Sequence, residues 1–474
     1  MGSAGPRRVP LKLKSVAIIV ALALLGWVLL RPSPTPDSYW ALIWGRDALG
    51  GHPPQVDVPG APSAHPLAVG VGAVVGLFGR AEAVDLFNGL VLLSFGATLV
   101  GIFRLGQIIF GTAVAWAALA ATLCNFTLVN LVMFSSLDVA AYALTVWAAV
   151  FVAVRPLRGA APLVLLGIAG LQRPEVWLLS AAYWLYLAAS LRDHRRAAAL
   201  MLLAAAPVVC WVAFDLVATH RVGSSLNQIQ SVAANVEAPV LEQLEVAVPP
   251  TFRLPFIPLA LVGMGLAACM RLRSAILPAV IGFLGVVAAG VYFLADIFVV
   301  SRFLVITALM CALFVGYAVM GGVGRPGRIG RAWRIGGVLA GLVVLVVAAR
   351  QVNGVREVRV SLGDDARASA EEFTRLAGQP RVARVLDDCT PVWTQAEDPA
   401  TLYVGGVDPK KYRQALTVPA IGGAKGKLPD RGALVGGLPP AGLPQAASSY
   451  RLVVPPGFSR VGSSGRWTVY ERDC

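Results

Sequence analysis

The sequence predicts an all-α polytopic membrane protein of about eleven transmembrane helices, followed by a small C-terminal α/β domain. Three observations predict it. Of 474 residues, 57% are hydrophobic and only 14% charged, whereas soluble domains sit nearer half apolar and a quarter charged. Apolar runs of membrane-spanning length recur through roughly the first 350 residues. The composition then changes, which divides the chain into a transmembrane part, 1–350, and an extracytoplasmic part, 351–474.

The chain opens with Arg7, Arg8, Lys12 and Lys14 before the apolar run Ser15–Leu30. A signal peptide starts this way, but Arg31-Pro32-Ser33-Pro34 follows instead of a small-residue cleavage site, so an uncleaved first span with a cytoplasmic N-terminus is expected. The expected spans are about 15–31, 82–103, 106–124, 137–154, 160–172, 174–191, 197–218, 254–270, 275–295, 302–321 and 335–349. Cytoplasmic loops then hold sixteen basic residues: Arg7, Arg8, Lys12, Lys14, Arg104, Arg155, Arg158, Arg192, Arg195, Arg196, Arg271, Arg273, Arg325, Arg328, Arg331 and Arg334. The outer loops before the tail hold seven: Arg31, Arg46, Arg80, Arg173, Arg221, Arg253 and Arg302. That asymmetry follows the positive-inside rule and leaves the tail outside. It also accounts for the net charge of +14 by topology, and nucleic acid is not an expected partner.

Two outer loops are long. Loop 32–66 contains Tyr39, Trp40, Ile43 and Trp44, whose spacing makes one aromatic–apolar stripe on a helix. Such a stripe suits a helix lying in the membrane interface, and equally the capped start of a deeper helix. Loop 219–253 is polar, with Asn227, Gln228, Gln230 and Asn235, and suits a lid or a connector.

In the tail, a charged helical stretch, Val355–Leu376, precedes short β-like runs at Leu402-Tyr403-Val404, Arg451–Val454 and Trp467–Tyr470, punctuated by Gly and Pro. A Cys389–Cys474 disulfide would close a loop of 85 residues, fit an oxidising compartment and stabilise by roughly 4 kcal/mol; two separately buried thiols are the alternative. Cys124, Cys210, Cys269 and Cys311 lie in apolar segments as small core residues. There is no C-x-x-C or His/Cys metal spacing. No metal-ligand set is legible, although loop carboxylates leave a divalent cation open.

Ionisable groups in or beside spans are costly unless paired or wet, so each is a functional candidate. Asp37, Arg46, Asp47, His52, Asp57 and His65 share the first outer loop. Asp85 lies near the start of the second span, and Asp138 follows Phe134-Ser135-Ser136-Leu137 at the start of the fourth. Arg173 and Glu175 flank Pro174 in Gly170–Glu175, while Asp296 and Arg302 lie between the ninth and tenth spans. Each has a plainer reading. Asp37 and Asp138 suit helix N-caps, Arg173-Pro174-Glu175 a helix break with a local ion pair, Arg302 a headgroup contact, and His52 and His65 ordinary loop positions. On the expected topology all of them reach one face.

The order of these features resembles a known superfamily. A first span leads to an acidic residue in a long outer loop, Gly50-Gly51-His52-Pro53, and His65-Pro66-Leu67 before Gly76-Leu77-Phe78-Gly79. Phe134–Leu137 with Asp138, Gly170–Glu175, and Ser301-Arg302-Phe303-Leu304 follow. Over roughly residues 10–320 this is similar to the GT-C integral-membrane glycosyltransferases, in particular bacterial relatives of the protein mannosyltransferases and the lipid A aminoarabinose transferase. The resemblance implies a GT-C-like fold in the bilayer and transfer of a hexosyl or pentosyl group from a polyprenyl-phosphate donor. The acceptor would be a cell-envelope glycan, lipid or protein at the outer face. Asp37 maps to the candidate base and Asp138 to the later outer-face acid. Arg302, Arg173 and Arg46 are candidates for the donor phosphate, and Tyr39, Trp40, His52, His65 and Glu175 for substrate contacts. Ser38-Tyr39-Trp40 stands where the family often has a second acid or aromatic, and His65 replaces a common proline, so the acceptor is open.

The chemistry is coherent by itself. A glycosyl phosphate carries a good leaving group, so a carboxylate to deprotonate the acceptor hydroxyl and cations on the departing phosphate suffice. Direct displacement inverts the anomeric centre. Arg suits the phosphate through paired N–H donors. Two other readings are a transporter or flippase of lipid-linked substrates, which should show paired repeats that the sequence lacks, and a non-catalytic cell-wall assembly factor, for which Asp37 would be dispensable.

Overall fold

The computed structural model describes residues 13–56, 62–157, 159–225, 227, 230, 247–252, 255–295, 297, 299–359, 365–394, 403–407, 411–414, 417–418, 429–437, 451–452 and 454–474. Asp57, Gln228, Asn235, Asp296 and Leu402 lie outside the described residues.

The bundle runs α1 (Leu13–Leu30), α2 (Pro36–Leu49), α3 (Pro66–Gly76), α4 (Arg80–Ile109), α5 (Thr112–Leu123), α6 (Phe126–Met133), α7 (Asp138–Val154), α8 (Ala160–Gly170), α9 (Val176–Ser190) and α10 (His194–Thr219). It continues with α11 (Phe256–Cys269), α12 (Ile276–Leu294), α13 (Val305–Met320) and α14 (Gly327–Val358). Every expected span coincides with one of these helices. Five of them are long and apolar enough to cross a membrane alone: α4, α10, α12, α13 and α14. α5 and α6, bent by 61°, form a candidate sixth span. The bend falls at Asn125, whose side chain accepts the Leu128 N–H at 2.8 Å and so caps α6 as a new helix. The chain is a multi-pass membrane protein. α8 has 11 residues and reaches only about 16 Å, roughly half the hydrocarbon thickness; it packs between α7 and α10.

The aromatic stripe of α2 faces protein. Tyr39, Trp40, Ile43 and Trp44 are all buried, so the stripe packs on protein and not on lipid. The helix is half of a tight pair with α3. Gly45 of α2 lies on the backbone of Gly72 and Ala73, and Gly72 of α3 lies on the carbonyl of Ala41, so neither position has room for a Cβ. Removing two side chains lets the backbones touch and turns the stripe inward.

After α14 the tail forms α15 (Asp365–Ala377) and α16 (Pro380–Asp388), then β1 (Val392–Thr394), β2 (Tyr412–Gln414), β3 (Thr417–Val418), β4 (Gly432–Gly437), β5 (Arg451–Leu452), β6 (Ser459–Ser464) and β7 (Trp467–Arg472). The expected helix Val355–Leu376 coincides with the end of α14 and with α15, residues 360–364 lying outside the described residues. Tyr403 and Val404, expected in a strand, are helical, in a turn that Gly406 closes at φ +68°. A five-stranded sheet has the order β2-β1-β4-β7-β6, with β1 parallel to both neighbours and the remaining pairs antiparallel; β3 and β5 form a separate antiparallel pair. Phe373 and Leu376 of α15 and Val382 and Leu386 of α16 bury against Val392, Val435 and Val469. A disulfide joins Cys389, before β1, to Cys474, after β7.

This domain sits on one end of the bundle. The Tyr403 hydroxyl donates to the Arg80 carbonyl at 3.2 Å, and its ring lies 6.0 Å from that of Tyr39. Arg367 donates to the Pro32 carbonyl at 3.1 Å and Arg359 to the Leu29 carbonyl at 2.8 Å.

Gly72→Val is expected to force α2 from α3 and cost at least the roughly 1–3 kcal/mol typical of overpacking. Gly70→Ala, where a Cβ meets nothing within 4 Å, should leave stability unchanged. Thermal unfolding of the two variants in detergent checks the difference.

Candidate functional site

Three sets of backbone contacts gather the charged residues. Ser33 and Thr35 donate their N–H groups to the carbonyls of Met133 and Phe134 at 2.8 and 3.2 Å, and the Ser38 hydroxyl donates to the Ser135 carbonyl at 2.9 Å. This zips the segment leading into α2 onto the segment leading into α7, so Asp37 and Asp138 open neighbouring helices. Leu67 N–H donates to the Leu171 carbonyl at 3.2 Å, which ties His65 to the α8–α9 turn carrying Gln172 and Arg173. The Tyr142 hydroxyl donates to the Arg302 carbonyl at 2.7 Å, which fixes the 3₁₀ turn Ser301–Leu304 against α7.

Two ion-paired groups result. In the buried one, Arg173 donates to Glu175 at 2.6 Å and to Asp138 at 3.1 Å, with side-chain exposures of 2–4% throughout. Gln172 donates to the other Asp138 oxygen at 3.2 Å, and the Tyr292 hydroxyl donates to Glu175 at 3.0 Å. The guanidinium lies 4.7 Å from the Phe303 ring centroid. Two adjacent carboxylates raise the already high Arg173 pKa despite its burial. In the open group, Arg302 donates to Asp37 at 3.1 Å, with side-chain exposures of 37% and 54%.

Asp37, Asp138, His65, Gln172 and Arg302 line one pocket of about 40 Å³, walled also by Ser38, Trp44 and Phe87. Neither acid is an N-cap. Thr35 holds that position in α2 and Leu137 in α7, and both carboxylates point at arginines instead. The buried Nδ1 of His65 has no hydrogen-bond partner among the described residues, and the ring meets Trp211 edge-on. Burial lowers its pKa to about 4, with the charges of Arg173 and Arg302 adding to the shift against Asp138 and Asp37. His65 is therefore neutral at pH 7.

Other candidates lie elsewhere. Arg46 pairs with Asp47 at 3.4 Å, nine residues or about 13 Å along α2 from Asp37. His52 is exposed. Tyr39 packs on Tyr403, and Trp40 on Trp44 at 5.5 Å. Glu175 stands behind the pocket, reached through Arg173. Asp85 is exposed on α4. Among the described residues no three His, Cys, Asp or Glu side chains are grouped to hold a metal ion. Tyr142, Tyr292 and Phe303 belong to the site but read in sequence as ordinary span aromatics. Gln172 had a signal, its place beside Arg173-Pro174-Glu175.

No protein-family profile matches this sequence, and no curated protein is similar to it in sequence. Solved structures do match. ArnT from Cupriavidus metallidurans in the apo state superposes with a TM-score of 0.56 at 16% identity, covering 96% of this chain and 97% of that one. The same protein bound to undecaprenyl phosphate gives 0.50 at 15%, covering 97% and 98%. The oligosaccharyltransferase of Archaeoglobus fulgidus in its apo form gives 0.50 at 10%, covering 83% of this chain and 64% of that one. The fold is that of the GT-C integral-membrane glycosyltransferases. With ArnT it is shared over nearly the whole length, C-terminal domain included.

Unfolded His65 binds a proton below about pH 6.5, the folded residue only below about 4. Its contribution to stability is thus present above pH 6.5 and lost as pH falls towards 4. His65→Gln should flatten the pH dependence of the melting temperature in that window.

Proposed function

We propose that this chain is a GT-C glycosyltransferase. It moves a sugar from a polyprenyl-phosphate donor to a cell-envelope acceptor at the outer face of the membrane, with inversion. One observation carries the proposal: Asp37, Asp138, His65 and Arg302 meet in a single pocket at one end of a GT-C bundle. The undecaprenyl phosphate bound to ArnT supports a lipid-linked donor. The excess of basic residues in the opposite loops supports the outer side for the pocket, and so for the C-terminal domain, which sits at the same end and carries a disulfide.

The two ion-paired groups take different roles. Arg302, open and ion-paired among the described residues with Asp37, receives the donor phosphate. A phosphate there competes with the Asp37 carboxylate for the same guanidinium and releases it as a base. Asp37 then takes the proton of the acceptor hydroxyl while that oxygen bonds to the anomeric carbon. The bond from that carbon to the phosphate oxygen breaks, and polyprenyl phosphate leaves with its charge against Arg302. Arg173, neutralised by Asp138 and Glu175, braces the pocket from behind without touching the phosphate. Asp138 is a positioning residue that fixes Arg173 and Gln172. Neutral His65 offers its Nδ1 to a substrate hydroxyl.

Asp37→Asn should lower transfer by about 100-fold or more while the purified protein still binds donor lipid; transfer at the wild-type rate would remove Asp37 from the mechanism. Arg302→Ala should weaken donor binding about tenfold or more and acceptor binding much less. Equal donor affinity in a titration would exclude the phosphate role.

A further inference from the structure

The bundle contains a second, larger cavity of about 920 Å³ that shares no lining residue with the charged pocket. Its walls are α7 from Thr145 to Val154, α9 from Leu179 to Tyr186, α12 from Ile276 to Leu284, and the end of α4. Ala148, Ala149 and Ala153 hollow out the α7 side. Asp138 opens α7 and Val154 closes it, about 24 Å away at 1.5 Å per residue. The cavity thus occupies the half of the bundle away from the charged pocket. Tyr186, Ile276 and Val280 are exposed along its rim.

Thr145, Tyr183 and Tyr186 bring hydroxyls to the cavity walls, and the one formal charge among its lining residues, Arg273, lies at its far end. Gln107, Arg273 and Ser274 lie there beside Pro156. Arg104 donates to Gln107 at 3.1 Å, and Arg155 and Arg271 neighbour lining residues in sequence. Among the described residues none of Arg104, Arg155, Arg271 and Arg273 is in an ion pair. The acid that follows α9, Asp193, is occupied in capping α10. An apolar cavity does not hold water, and unneutralised arginines at a membrane surface attract anionic headgroups.

We propose that this cavity binds an anionic glycerophospholipid, with one acyl chain between α7, α9 and α12 and the headgroup phosphate on Arg273. Cations at the end away from Arg302 favour this occupant over the isoprenoid tail of a donor, whose phosphate would lie at the opposite end. The choice against the donor's tail rests on the transferase reading, whereas the preference for an anionic headgroup is tested without it.

The test is lipid retention by the purified full chain, read by native mass spectrometry after exposure to an equimolar mixture of phosphatidylglycerol and phosphatidylcholine with identical chains. Phosphatidylglycerol should be retained about tenfold over phosphatidylcholine. Ala149→Trp, which fills the cavity, should abolish that retention, and Arg273→Gln should erase the preference. Arg273 is exposed, so its variant keeps the fold and decides the matter even if Ala149→Trp fails to accumulate. Equal retention of both lipids would reduce the cavity to ordinary bilayer contact. Loss of polyprenyl phosphate binding in Ala149→Trp, with phosphatidylglycerol still retained, would assign the cavity to the donor's tail and overturn the proposal.

Discussion

Arg173 is one cation shared by two buried carboxylates, and the surroundings of the charged pocket hang on it. Removing ions from water costs several kcal/mol each and is offset by close pairing and further hydrogen bonds, here at each carboxylate, with Arg173 Nη2 and Gln172 Oε1 left unpartnered among the described residues. Here Gln172 serves Asp138, the Tyr292 hydroxyl serves Glu175, and the Phe303 face lies near the guanidinium. These contacts join the start of α7, the α8–α9 turn, the end of α12 and the turn that begins α13. The first two are separated in sequence by α7 and α8, and the last two follow more than a hundred residues later. Loss of Arg173 would leave two buried like charges side by side, so the cluster can hold only one arrangement.

A rigid cluster makes the open pair meaningful. Arg302 and Asp37 share the pocket with Asp138 but not its burial, and a half-exposed ion pair is worth at most about 1 kcal/mol. The pair is cheap to break where the Arg173 cluster is not. The protein thus combines fixed charges that set the field with mobile charges that can exchange partners. Phe303 stands near both arginines, 4.7 Å from one guanidinium and 6.0 Å from the other, and Asp138, bound to Arg173, shares the pocket with Arg302.

The helices and the main charged residues were legible because both rest on the same rule. Long apolar runs must span, and a charge beside them must be paired or wet, which marks Asp37, Asp138, Arg173 and Arg302 among a dozen ionisable candidates, and the GT-C resemblance gave those four their expected roles. What periodicity leaves open is the identity of the apolar partner. The stripe at Tyr39, Trp40, Ile43 and Trp44 is the same whether it meets lipid or α3, and the decision lies with Gly45 and Gly72, 27 residues apart in the chain. Arg46 and His52 share a loop with Asp37, yet a helix axis carries Arg46 away and the loop leaves His52 in solvent. Tyr142 and Tyr292 escaped because a single hydroxyl on an apolar helix is silent until a distant carbonyl or carboxylate reaches it.

The tail gains meaning from the same geometry. Arg359 and Arg367 hold the carbonyls of Leu29 and Pro32, and Asn88 donates to Pro32 as well at 3.4 Å. Ser33 and Thr35 follow immediately and bind the Met133–Phe134 backbone. The short link from α1 to α2 is therefore gripped from the C-terminal domain on one side and from the approach to α7 on the other. Tyr403 adds a third hold through Tyr39, two residues beyond Asp37. A domain attached this way is a constraint on the segment that carries Asp37. Its disulfide, by tying the first strand of the main sheet to the last, stiffens the support from which that constraint acts.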